Sequence, residues 1–151
     1  MRKLYVAVLA ALAATAAAVA VGIAAPSPPL SGTIVLVGNV QERNVIPPDG
    51  KFPGRSTWYF TLASARARGK AFGYGILSCV FVSTKNTVRE CVGTYSLPRG
   101  KLTVAGSFLY PSLYELAITG GTGAYNGAAG ILDVREFVAH KGAFWLTFTL
   151  R

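Results

Sequence analysis

From Gly32 to the end of the chain, apolar and polar residues alternate in short runs separated by glycine, proline and small polar residues. Alternation with a period of two marks half-buried strands, and it predicts eight of them. Gly32 to Gln41 is the first strand, rich in β-branched residues. Val45 to Ser56 holds three prolines and two glycines and reads as a loop. Trp58 to Leu62 is the second strand, and Lys70 to Val82 the third, with Gly73 and Gly75 as bend points. Cys91 to Leu97, Leu102 to Tyr110, Tyr114 to Thr119, Ile131 to Val138 and Ala143 to Leu150 follow. Pro98-Arg-Gly100 and Pro111-Ser112 supply tight turns. Ile118 to Gly130 carries five glycines and forms a corner between two strands, with Gly120, Gly121 and Gly123 free to take positive φ. A phosphate-binding loop fails there, because no Gly-Lys-Ser/Thr follows and the exit segment favours a strand.

An antiparallel set of eight strands on short connections removes its exposed edges by closing into a barrel, whose lumen suits one small ligand. Alternation by itself leaves barrel and sandwich open.

The chain of 151 residues allows one domain. Arg2 and Lys3 precede an unbroken apolar run from Leu4 to Ile23, and small residues Ala24 and Ala25 end it. That order predicts a signal peptide over 1–25, with a retained membrane anchor as the rival. A proline-rich linker over 26–31 leads into a domain at 32–151. The expected location is secreted or extracytoplasmic, with no membrane association after the leader is removed.

The formal charge is +9, or +7 once Arg2 and Lys3 are subtracted with the leader. The basic residues are dispersed, apart from Arg66, Arg68 and Lys70, so no nucleic-acid partner is expected. Cys79 and Cys91 sit symmetrically about Lys85 on two arms of a hairpin. Directly opposed strand residues are close enough for a disulfide, which an exported chain permits; free thiols are the alternative. Two cysteines and the single His140 argue against a metal site, and no cofactor is expected.

The glycine corner, Ile118-Thr-Gly-Gly-Thr-Gly-Ala-Tyr, resembles the Gly-Gly-Thr/Ser-Gly-x-aromatic turn of the allene oxide cyclase and dirigent superfamily. Cys79-Val-Phe-Val, Thr94-Tyr-Ser-Leu, Gly100-Lys-Leu-Thr-Val-Ala-Gly and Glu115-Leu-Ala-Ile-Thr are similar, in order, to strands of allene oxide cyclase. Gly69-Lys-Ala-Phe-Gly-Tyr-Gly is similar to a dirigent strand, and Leu146-Thr-Phe-Thr-Leu to the closing strand of both. The resemblance implies an all-β, eight-stranded antiparallel barrel, and trimers as the homo-oligomer.

It also implies chemistry. Allene oxide cyclase steers ring closure of a fatty-acid epoxide in an apolar cavity, and dirigent proteins hold phenoxy radicals or a quinone methide during coupling. Cys79 falls on the family's cavity cysteine, and Phe108 stands where the family has a tyrosine. Asn39 matches part of a first-strand Glu-x-Asn pair, whereas Glu42 is one residue out of phase and faces away. Asn39 and Cys79 are therefore the catalytic candidates. Asp49 and Asp133 are the alternative carboxylates, each reading first as a solvated loop or edge residue. With Cys79 inward, alternation brings Leu77, Phe81, Tyr95, Val104 and Phe108 onto the same lining, which suits a small apolar or aromatic ligand. Cyclisation or stereoselective coupling of that ligand and a purely non-catalytic binding or envelope role both remain open.

Overall fold

The computed structural model describes residues 30–49, 51–65, 70–82, 88–109, 113–138 and 140–151. The leader, residues 26–29 of the linker, Arg66, Arg68, Lys85 and Tyr110 lie outside them. Strands β1 (Gly32–Ile46), β2 (Arg55–Ser64), β3 (Gly73–Phe81), β4 (Val88–Leu97), β5 (Gly100–Leu109), β6 (Tyr114–Gly121), β7 (Gly130–Glu136) and β8 (Ala143–Leu150) follow one another in sequence. They pair in that order, and β8 pairs back on β1, closing an antiparallel barrel. Closure satisfies both edges of every strand in the ring. Among the described residues, no helix is long and apolar enough to cross a membrane.

Alternation assigns the two faces. Leu36 on β1, Phe60 and Leu62 on β2, Leu77 on β3, Tyr95 on β4, and Leu146 and Phe148 on β8 are buried inside. Tyr95 and Phe148 meet edge to face at 5.2 Å, and Phe60 stacks on Tyr95 at 6.4 Å. Gly75 is what admits the Tyr95 ring, since a Cβ there would sit 2.6 Å from it.

The glycine corner closes one end of the barrel. A 3-10 turn at Gly123–Tyr125 folds the segment inward and buries Tyr125, while Ala128 packs beside it. Thr122 and Ala124 donate backbone hydrogen bonds to the carbonyls of Lys101 and Arg99, fastening the corner to the β4–β5 hairpin. Of the three glycines expected at positive φ, Gly123 takes it, at 62°. Gly121 serves instead by close approach, since a Cβ there would run into the Tyr125 carbonyl.

Several boundaries differ from the sequence expectation. β1 continues to Ile46 and β2 begins at Arg55, so the expected loop shrinks to the segment between them. Glu42, Arg43 and Asn44 have weak strand propensity, yet they pair with Tyr59, Trp58 and Thr57 in a hairpin that extends past the barrel wall. Pairing with a strong β2 partner overrides local preference. Likewise β4 begins at Val88, three residues before the expected Cys91.

Candidate functional site

The other end of the barrel is a mouth lined by rings. Trp58, Phe60, Leu77, Phe108, Tyr114 and Phe144 surround a cavity of about 20 Å3, which is room for one water molecule. Each comes from an inward position, Phe60 and Leu77 from the middle of their strands and the others nearer the mouth end. Phe144 presents its edge to Trp58 at 6.2 Å and to Phe60 at 6.1 Å. Across the opening Phe108 and Tyr114 stack nearly parallel at 3.8 Å. Phe60 and Leu77 are buried, whereas Trp58, Phe108, Tyr114 and Phe144 are only partly so. Four aromatic side chains therefore offer surface to whatever approaches the mouth, and no carboxylate is among the described residues that line the cavity.

Charge reaches this rim through a fault in β1. Val40 pairs with Phe60, but Glu42 pairs with Tyr59, so Gln41 is an extra residue bulged out of the ladder. Its side chain lies on the outer face and donates a hydrogen bond to the Thr61 hydroxyl at 3.1 Å. A bulge exchanges the faces of all that follow it. Arg43 consequently takes the inward position opposite Trp58, with its guanidinium 4.4 Å from the ring centroid. A second guanidinium, that of Arg89 on β4, is 6% exposed and lies 4.5 Å over the Phe81 ring. Arg89 pairs with Phe108 in the ladder, which places it directly beside the ring-lined cavity. On the rim side of Trp58, the buried Ser56 hydroxyl accepts a hydrogen bond from the indole N–H at 3.3 Å.

Tyr95 fills the centre of the barrel beneath the mouth. Its hydroxyl is buried and makes no hydrogen bond among the described residues. Burial, helped by the Tyr114 phenol, pushes its ionisation above the ordinary phenol range. The folded state thus keeps a proton that the unfolded chain releases above pH about 10, so this contribution to stability is intact below that pH and declines above it. Urea unfolding between pH 9 and 11 is expected to show a loss approaching about 1.4 kcal/mol per pH unit above pH 10 that Tyr95→Phe abolishes. Identical alkaline slopes in the two proteins would mean that Tyr95 already ionises in the folded barrel.

The residues singled out from the sequence occupy distinct levels. Leu77 and Phe108 line the mouth cavity. Phe81 supports Arg89, while Tyr95 and Val104 lie deeper and fill the interior. Cys79 and Cys91 pair directly across β3 and β4, face inward and form a disulfide. Of the two roles open to Cys79 the structure shows the crosslink, which leaves it no thiol to act in catalysis.

Asn39 requires a correction. Gly38 and Val40 are the inward residues, with Gly38 against Leu146 and Phe60, so Asn39 between them points outward. Asp133 alternates in the same way between buried Leu132 and Val134 and faces out. The Asp49 carboxylate accepts backbone hydrogen bonds from Lys51 and Phe52 at 2.9 and 2.7 Å. Those bonds fix the loop and hold its carboxyl below the usual range, the Phe52 bond contributing most. Sequence reasoning missed Trp58, Tyr114 and Phe144 as a group, and Arg43 altogether. A larger groove of about 540 Å3 crosses the outer face of β1 to β4 between Arg55 and Glu90.

No protein-family description matches this chain, and no curated protein does. Solved structures share its fold. A pyocyanin demethylase superposes with a TM-score of 0.66 at 24% identity, over 80% of this chain and 100% of its own. Two pterocarpan synthase dirigent proteins give TM-scores of 0.62 and 0.60 at 16% and 17% identity. They cover 87% and 81% of this chain, and 98% and 97% of theirs.

Proposed function

We propose, from a barrel with the fold of dirigent proteins, that this chain binds a small planar organic molecule at its aromatic mouth. One observation carries the reading: four partly open rings and a buried fifth converge on a single opening, with an apolar floor formed by Leu77. Stacking on such surfaces is worth about 0.5–1.5 kcal/mol per ring pair beyond burial. The guest lies across the rim rings, because the cavity beneath them admits only about one water. A reactive guest held in this way is presented from one side, so the barrel steers cyclisation or coupling by orientation and not by acid–base groups. The neighbours named for a pterocarpan and for pyocyanin support a small organic guest. Secretion behind the N-terminal leader completes the proposal, and the disulfide fits an oxidising compartment.

A second reading, a barrel whose interior is filled by its own side chains and whose role is structural, draws support from the complete burial of Tyr95 and Phe148.

Calorimetric titration with 2-naphthol, a neutral planar aromatic, separates the two. For a guest of this size binding is expected at about 0.1–1 mM, and Trp58→Ala is expected to weaken it about tenfold. Absence of binding, together with native mass spectra of the isolated protein that carry no small molecule, would leave the structural reading.

A further inference from the structure

The arrangement of charge at the mouth goes further than its shape. We infer that the mouth selects a planar aromatic anion, such as an aromatic carboxylate, with Arg43 as its charge partner. This inference rests on the aromatic-mouth reading and specifies the guest it takes.

Three charged side chains among the described residues have inward positions at this end: Arg43 opposite Trp58, Arg89 opposite Phe108, and Glu136 opposite Phe144. The two cations stand on β1 and β4, three strands apart in the ring, and each pairs with a ring that lines the cavity. Arg89 is nine-tenths buried with its guanidinium over Phe81, so it belongs to the wall, and Arg43 is the cation a guest can reach. Arg43 is exposed, and its guanidinium already lies 4.4 Å from the centroid of the Trp58 ring. A guanidinium over a ring still has N–H groups to donate to a carboxylate, while the neighbouring rings take the aromatic part of the guest. Glu136 is exposed at the end of β7 beyond the cavity lining, so water screens it most.

The bulge is the second, independent observation. Regular alternation from Leu36, Gly38 and Val40 would turn Glu42 inward and Arg43 outward. Gln41 reverses this, and bulges of this kind re-aim side chains beside binding sites. Glu42 faces out beside Tyr59, and the mouth receives the cation.

The test compares three probes that share one ring system: 2-naphthoate, neutral 2-naphthamide and 2-naphthylmethylammonium. Calorimetric titration of the full folded domain at fixed ionic strength is expected to rank them in that order, with naphthoate about tenfold tighter than the amide or better. Arg43→Gln is expected to bring naphthoate close to the amide while leaving amide affinity within about twofold, and Arg43→Glu to favour the ammonium. Glu42→Gln, on the outer face, is expected to leave the ranking unchanged. Equal affinity for naphthoate and the amide, tightest binding of the ammonium, or a naphthoate preference that survives Arg43→Gln would overturn the inference and leave the aromatic mouth standing. Failure of all three probes to bind would remove the mouth reading itself, and this inference with it.

Discussion

Replacing Phe148 by alanine is expected to cost about 3–5 kcal/mol of stability, among the largest single effects in this barrel. The ring is fully buried, so its removal forfeits the whole transfer term of a phenyl group. It also leaves a hole beside Tyr95, which loses its 5.2 Å edge contact. Most core sites soften such a loss by collapse. Here collapse is opposed, because Phe148 pairs in the ladder with Leu132 on one side and Ile34 on the other, both in a closed ring of strands. Urea unfolding is expected to show a lower midpoint at unchanged slope, with far-ultraviolet dichroism of the folded state preserved. A loss below about 1.5 kcal/mol would show that Tyr95 or Phe60 swings into the space.

Removal of the disulfide is the next largest. Cys79 and Cys91 are separated by 12 positions, and they close the β3–β4 hairpin from inside the lumen. A crosslink over a loop of that size restrains the unfolded chain by about 3 kcal/mol. The Cys79→Ala/Cys91→Ala pair is expected to lose about that much, since the folded ladder around it remains paired. Alanine is the instructive replacement: serine would add hydroxyls at two fully buried positions and mix an unmet hydrogen bond with the entropic effect. The same bond is expected to appear as a gain of about two mass units when the denatured wild-type chain is reduced. A double variant as stable as the parent would mean that the hairpin is already organised in the unfolded chain.

Strand alternation made much of the barrel legible. The placement of Leu77, Cys79 and Phe81 on one lining with Tyr95, Val104 and Phe108 follows from period-two counting, because β3 to β5 pair without any shift. Counting gives the face and not the depth, so it could not show that Tyr95 fills the centre while Phe108 stands at the rim. Asn39 illustrates a different error. Matching it to a family position placed it inward, although its own neighbours Leu36, Gly38 and Val40 had already claimed that face. The mouth was hardest to read. Glu42-Arg-Asn has the composition of a loop, and the bulge at Gln41 carries no glycine or proline to announce it. Trp58, Tyr114 and Phe144 come from three strands that meet only when the ring closes, so no local pattern gathers them.

The surplus residue in β1 also makes the polarity of the opening a matter of chain length. Opposite signs stand side by side at Glu42 and Arg43, and the point where the ladder absorbs its extra residue decides which one looks into the lumen. If one residue were lost between Arg43 and the hairpin loop, the strand could run straight, turning the glutamate in and the arginine out while every other strand kept its register. A lineage of such barrels could thus pass from anionic to cationic guests by a single deletion, with no substitution at the rim at all.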